Sequence, residues 1–187
     1  MNVHETTVAE LATVNGEIRN RDRYRLHLAF GDCRIEVSCN SSELAASLRN
    51  YYRLFVVSEP AHAPIRVTAI EAPALHLPFH FQRKMPEPGK TRIKEEYVDL
   101  RDGRVVRKRL TGMVFMFGGD VNLALGPCLE NINQIINFIN NRCIQHELQQ
   151  GALLAHAAGV SRRGKGLALA GFSGVGKSTL ALHLLSH

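Results

Sequence analysis

Gly171-Phe172-Ser173-Gly174-Val175-Gly176-Lys177-Ser178-Thr179 is the stretch that decides the expected fold. It matches the pattern G-x-x-x-x-G-K-[S/T], whose glycines let backbone N–H groups wrap around a polyphosphate. In this pattern Lys177 would reach the β- and γ-phosphates of ATP, and the hydroxyl of Ser178 would bind Mg²⁺. The sequence therefore predicts a nucleotide site, with Lys177 also as a catalytic residue and with contacts from Gly171, Ser173, Gly174, Val175, Gly176, Lys177, Ser178 and Thr179.

The residues on either side of this loop support the interpretation. The apolar run Gly166–Ala170 ends at the first loop glycine and predicts a buried strand. Residues 179–185 have apolar side chains at helical spacing. A strand, a loop and a helix in this order are the context that the motif requires, and they disfavour a Gly/Ser-rich turn between unrelated elements.

The first 126 residues predict an α+β region built from antiparallel hairpins. Residues 23–30 and 33–37 alternate apolar and polar side chains around Gly31-Asp32, a hairpin signal. Asp102-Gly103 predicts a second hairpin, between 91–100 and 105–110. A third joins 113–117 to 121–125. Short helices are predicted over 6–15, with Thr6 or Thr7 as N-cap, and from Ser41 or Ser42 to about Tyr52.

Residues 127–187 predict a connecting helix and the first part of a P-loop kinase core. Pro127 stands where a first helical residue tolerates proline, and Gly151 ends the helix. Ala152–Ala158 is predicted to be a strand, antiparallel to the strand before the loop because a tight basic turn joins them. The helix should bury one apolar stripe, formed by Ile132, Ile135, Ile136, Ile139 and Cys143.

Composition narrows the class of protein. The chain has 187 residues, 45% hydrophobic and 21% charged, which is ordinary for a globular protein. Its net charge of +6 favours anionic partners such as nucleotides. The basic hairpin at 101–109 has acidic neighbours and few aromatic residues, so we expect a solvated face or an anionic contact surface rather than a nucleic-acid site.

We expect no membrane-spanning segment, and no metal site other than the Mg²⁺ site at the loop. No apolar run approaches the roughly 18 residues of a membrane-spanning helix, and the N-terminus does not resemble a signal peptide. The four cysteines form no C-x-x-C, so we expect reduced thiols in a cytoplasmic protein. His76 and His80 lie in a proline-rich segment, where Pro78 favours a surface loop over a metal pair.

From about Gly118 onward the chain resembles the HPr kinase/phosphorylase superfamily, and within it the HprK-related kinase group. The loop itself is common to many nucleotide-binding proteins. A histidine followed fifteen residues later by the first loop glycine, as in His156 and Gly171, is more discriminating. The matching residues are Gly119-Asp120-Val121-Asn122, Glu130-Asn131, Gln134, Asn137-Phe138, His156-Ala157-Ala158-Gly159-Val160 and Gly171 to Thr179.

The resemblance implies a cytoplasmic, usually oligomeric kinase that uses ATP and Mg²⁺ to phosphorylate a serine of a protein substrate. Its core would have the α/β fold of the phosphoenolpyruvate-carboxykinase type. His156 would lie near the phosphates and act there as a catalytic residue. The alternative is that His156 packs between its neighbours on a buried strand.

One part of the kinase pattern is missing. Phosphoryl transfer needs carboxylates to hold Mg²⁺ and to orient the acceptor hydroxyl, and the family supplies them after the loop helix. Residues 148–187 contain neither Asp nor Glu. We therefore expect an N-terminal portion of a longer kinase, with exposed strand edges and an uncovered helix face. The alternative is a non-catalytic nucleotide-binding or regulatory module derived from such a kinase.

Overall fold

The computed structural model describes residues 5–14, 24–58, 64–75, 77–86 and 91–186. It divides into two compact units, residues 1–146 and 147–187. The chain is α+β, as predicted. Its large sheet is mixed rather than wholly antiparallel.

The first unit contains three helices and nine strands among the described residues. The helices are α1 (Val8–Val14), α2 (Ser42–Tyr51) and α3 (Ile132–Gln149), the last turn of which falls in the second unit. The strands are β1 (Tyr24–Phe30), β2 (Cys33–Cys39), β3 (Val56–Val57), β4 (Ile65–Glu71), β5 (Gln82–Arg83), β6 (Glu95–Asp99), β7 (Gly103–Lys108), β8 (Val114–Gly118) and β9 (Val121–Gly126).

These strands form one sheet in the order β3-β1-β2-β4-β9-β8-β7-β6-β5. The three predicted hairpins, β1–β2, β6–β7 and β8–β9, are confirmed and antiparallel. The central strand β4 is parallel to both of its neighbours, β2 and β9. The parallel pairing of β4 joins the β1–β2 hairpin to the antiparallel part of the sheet, which is formed by β5 to β9.

Apolar side chains cover both faces of the sheet. Along β8, Phe115 belongs to the cluster under α2 and α3, whereas Val114 and Met116 belong to the cluster that includes α1. This alternation is the period-two pattern of a strand buried on both sides. The helices add Leu44 and Leu48 from α2, Ile135 and Ile139 from α3, and Val8 and Leu11 from α1.

Local hydrogen bonds start the two shorter helices. At α1 the hydroxyl of Thr7 accepts from the N–H of Glu10 at 3.1 Å, and the Glu10 carboxylate accepts from the N–H of Thr7 at 2.7 Å. This is a reciprocal capping box. At α2 the Ser41 hydroxyl accepts from the N–H of Leu44 at 3.2 Å. Both caps lie among the residues that the sequence predicts.

The long helix begins at Ile132, so the predicted start at Pro127 is wrong. The four residues before it, 128–131, form turns. The Asn131 side chain donates to the Pro127 carbonyl at 2.8 Å, and the Leu129 N–H donates to the Glu71 carboxylate at 2.7 Å. These bonds satisfy the backbone without a helix, and the preference of asparagine for turns explains the late start.

The apolar stripe of α3 packs in the core of the first unit, with Ile135, Ile136, Phe138 and Ile139 buried. The division between the two compact units falls after His146, and the domain boundary after residue 126 stays a prediction. Tyr52 lies beneath the same helix. Its hydroxyl is within hydrogen-bond distance of the Ile136 carbonyl and the Asn140 side chain, and either of them can accept from it. Burial raises the pKa of Tyr52 well above its ordinary value.

The second unit consists of β10 (Ala157–Arg162), β11 (Lys165–Ala170) and α4 (Lys177–Leu185). The strands pair antiparallel, which confirms the prediction. Arg163 and Gly164 connect them, both with positive φ, as a two-residue hairpin turn requires. The strand predicted before the loop is confirmed as β11, but its predicted burial is wrong, because two strands and one helix offer too little surface to cover it.

Apolar side chains of α4 are uncovered, as expected. Among its described side chains only Ala181 is buried, while Leu182 and Leu185 are about two-thirds exposed.

No helix in the described ranges combines the length and the hydrophobicity needed to cross a bilayer. The four cysteines are free thiols. His80 is exposed, and His76 lies outside the described residues.

Ile139→Ala tests the packing of α3 on the sheet. Ile139 is fully buried, so we expect the free energy of unfolding to fall by about 2–5 kcal/mol. Asn133→Ala, on the exposed side of the same helix, should change it by less than about 0.5 kcal/mol. Urea denaturation followed by circular dichroism measures both. Equal losses in the two variants would contradict the packing of α3.

Candidate functional site

The predicted loop lies between a strand and a helix. β11 ends at Ala170, residues 171–176 form the loop, and α4 begins at Lys177. This confirms the strand–loop–helix context that the motif requires. The first N–H groups of a helix have no partner within the helix, so they are free to meet an anion.

Two loop glycines have backbone conformations that other residues rarely adopt. Gly174 has a φ of 83° and Gly176 a φ of 86°, both in the left-handed region. Gly176 is the N-cap of α4 and offers no side chain to bond the first-turn N–H groups. Those groups are left open because glycine stands where Ser, Thr or Asp would normally cap a helix.

The ammonium group of Lys177 lies over the loop. It donates to the carbonyl of Gly171 at 2.9 Å and to the carbonyl of Phe172 at 2.8 Å. In the part of the chain that the structure describes, no carboxylate pairs with it. Lys177 therefore places a positive charge at a loop whose backbone N–H donors are also exposed. This arrangement is suited to phosphate.

The remaining loop side chains leave the turn open. Ser173, Ser178 and Thr179 are exposed. Phe172 is 88% exposed and Val175 59% exposed. A Cβ on Gly171 would lie 3.0 Å from the side chain of Val175, so a larger residue at this position would crowd Val175.

His156 lies next to the start of the loop but outside regular structure. The predicted strand Ala152–Ala158 is wrong at its beginning, because β10 starts at Ala157 and residues 152–156 have no regular structure. Ala157 pairs with Ala170, the residue before Gly171, so the register brings the His156 backbone level with the loop entrance. His156 is exposed, which excludes the alternative of a histidine packed within a buried strand.

The donor set fits phosphate better than it fits a metal ion. Backbone N–H groups at the start of α4 and the Lys177 ammonium are anion-binding groups. For Mg²⁺ the loop offers the Ser178 hydroxyl, and residues 148–187 add no carboxylate. Hard cations prefer oxygen ligands, and Mg²⁺ is commonly held by substrate phosphates with few protein groups.

Comparisons of the chain with known protein families, with curated proteins and with solved structures found no match. The geometry of the loop is therefore the observation on which a functional proposal rests.

Gly176→Ala tests the conformation of the loop without any ligand. Holding alanine at a φ of 86° costs about 1–2 kcal/mol, so the first turn of α4 should open more often. We expect amide hydrogen exchange at Leu180 and Ala181, whose N–H groups donate to the carbonyls of the first turn, to accelerate about fivefold or more, since 1 kcal/mol at 25 °C corresponds to roughly that factor.

Gly166→Ala is the matched control for this loop variant. Gly166 lies in β11, its φ is not positive, and an added Cβ would meet no atom within 4 Å. Exchange in α4 should therefore stay at the level of the unmodified chain. An unchanged rate in Gly176→Ala would show that the left-handed conformation does not constrain the start of α4.

Proposed function

We propose that this chain binds the phosphates of ATP with the loop Gly171 to Thr179 and belongs to an HPr-kinase-like protein (serine) kinase. The observation that supports this is the open helix N-terminus at Gly176 together with the Lys177 ammonium over the loop. A polyphosphate would replace the two carbonyls that Lys177 contacts, and the first-turn N–H groups would donate to its oxygens.

Mg²⁺ would enter with the nucleotide. Ser178 is the residue that would hold it, and the ion would neutralise negative charge on the phosphates. His156 is proposed to assist at the loop entrance, where the register of β10 and β11 places its backbone. The protein substrate, the cytoplasmic location and a homo-oligomeric state are parts of the same proposal, and they follow from the resemblance alone.

A second candidate is a nucleotide-binding or regulatory module without catalysis. The absence of Asp and Glu from residues 148–187 favours it, because deprotonating or orienting a serine hydroxyl needs a carboxylate. The two candidates share the phosphate contacts and differ only in phosphoryl transfer.

Lys177→Ala tests the shared part of the proposal. A charge-assisted hydrogen bond contributes about 1.5–3 kcal/mol, so the affinity for Mg²⁺-ATP should fall at least about tenfold. Lys165→Ala removes an exposed lysine from the same unit, at the turn end of β11, and should change the affinity by less than about twofold. Isothermal titration calorimetry measures both. Full affinity in Lys177→Ala would refute the phosphate-binding assignment.

Transfer of labelled γ-phosphate separates the kinase from the non-catalytic module. If the 187-residue chain is a kinase, it should move label from ATP to serine in a protein acceptor, and Lys177→Ala should abolish the transfer. Mg²⁺-ATP binding without any transfer favours the module. Transfer that survives in Lys177→Ala would point to a contaminating kinase and count against the first candidate.

A further inference from the structure

A cavity of about 300 Å³ lies in the first unit, between α3 and one face of the sheet. Its floor is aromatic and apolar. Phe115 and Phe117 from β8 flank Phe138 from α3, with ring centroids 5.0 and 6.2 Å from that of Phe138. Val106 faces the same side from β7, since it pairs with Phe115. The floor could therefore pack against the apolar body of a small molecule.

Three side-chain amides from α3 line the cavity. Gln134, Asn137 and Asn141 follow i, i+3, i+7 and so occupy one stripe of the helix. Gln134 is engaged with Thr111 through hydrogen bonds of 3.2 and 3.3 Å. Asn137 and Asn141 are exposed. In the sequence these residues lie outside the apolar stripe of α3, and Gln134 and Asn137 are also among those that carry the family resemblance, whereas the structure places all three around an aromatic floor.

Arg142 is the cation of this cavity that forms no salt bridge with a carboxylate among the described residues. Its guanidinium lies over Phe117 at 4.4 Å and over Phe138 at 5.2 Å, measured to the ring centroids. Its Nε–H is buried and has no hydrogen-bond acceptor in the described structure. Burial lowers the pKa of Arg142 from its ordinary value. Arg142 as a whole is only partly buried, so the cost falls on the Nε–H, which is shielded from water without an acceptor, and stacking on the rings does not replace the missing hydrogen bond.

The other cations of the cavity are already paired. Lys84 and Lys108 share the carboxylate of Glu95, the first at 3.5 Å. Burial raises the pKa of Glu95, but the hydrogen bond and charge of Lys108, with help from Lys84, outweigh it and hold this pKa below its ordinary value. The two lysines and Arg142 face one carboxylate, so the lining has an excess of positive charge.

We propose that this cavity binds a small organic anion whose carboxylate or phosphate pairs with Arg142 and whose apolar body packs on Phe117 and Phe138. An anion would supply the acceptor that the Arg142 Nε–H lacks, in the two-pronged geometry that guanidinium favours. The exposed amides of Asn137 and Asn141 would fix its orientation. A cationic ligand would meet repulsion, and a neutral apolar ligand would bury the guanidinium further without compensation.

The volume limits the size of the anion. At about 300 Å³ the cavity is at the lower end of the range for small-molecule sites. A molecule the size of one aromatic acid matches it. Benzoate and phenyl phosphate are therefore suitable probes, because they share an aromatic body and differ in the acidic group. Benzyl alcohol is the matched neutral probe.

Titration of the full chain by NMR tests the proposal through the Arg142 Nε–H resonance. The Lys177→Ala background is used throughout, so that phosphate binding at the loop does not interfere. We expect at least one of benzoate and phenyl phosphate to shift this resonance saturably, with a Kd of about 1 mM or lower. Benzyl alcohol should bind at least about tenfold more weakly, because it cannot form the charged hydrogen bond.

Arg142→Gln removes the charge, and we expect at least about a tenfold loss of affinity for the bound probe, monitored on the Asn137 and Asn141 side-chain amides. Arg49→Gln, an exposed arginine on α2, makes the same change in net charge and should leave the affinity unchanged. Arg142→Lys keeps the charge but lacks the planar guanidinium fork, so this variant should bind the probe with intermediate affinity. It replaces Arg142→Gln in the test if that variant does not fold.

Binding of benzoate alone would identify a carboxylate site, and binding of phenyl phosphate alone a phosphate site. Either result supports the proposal. It is overturned if neither probe shifts the Arg142 resonance saturably, if benzyl alcohol binds as tightly as the anions, or if Arg49→Gln weakens binding as much as Arg142→Gln does.

Discussion

The parallel pairing of β4 with β2 on one side and β9 on the other holds the first unit together. Through it a local hairpin, β1–β2, becomes part of a sheet that continues to β5. The ends of these strands also anchor the start of α3. The Asn40 side chain bonds the N–H and the carbonyl of Glu71, and the Glu71 carboxylate accepts from the Leu129 N–H. The position of α3, and with it the Arg142 cavity, therefore depends on where β4 ends.

Short sequence patterns predicted the hairpins and the helix starts, because interactions between residues close in sequence determine these features. Gly31-Asp32 and the alternation around it gave the first hairpin, and Thr7 and Ser41 gave the helix starts. The turn at Asp102-Gly103 is correct, but Gly103 has no positive φ. Glycine is needed there because a Cβ would meet the Phe117 carbonyl at 2.1 Å and Gly118 at 2.6 Å. The close approach of the neighbouring strand β8 sets that requirement, and the dipeptide Asp102-Gly103 by itself does not show it.

Non-local features escaped prediction for the same reason. Nothing in residues 65–71 distinguishes a strand with two parallel neighbours from an edge strand. The late start of α3 depends on the local bond of Asn131 and also on a carboxylate far away in the sequence, on Glu71, which no local pattern shows. The candidate loop was predictable because its function needs fixed residues at fixed spacing, so its glycines and lysine are visible in the sequence. The Arg142 cavity has no such motif, since its residues come from five separate elements or segments.

The topology of β4 also has a consequence for how the chain folds. Each of the three hairpins closes over two or three turn residues and can form early, because little chain entropy is lost. β4 cannot meet β9 until the whole segment between them, with its own antiparallel strands, has been brought into place. Non-local parallel contacts of this kind raise the contact order and slow folding. The central strand of the finished sheet is thus among the last to acquire its partners, and until then its apolar side chains are exposed to other copies of the chain.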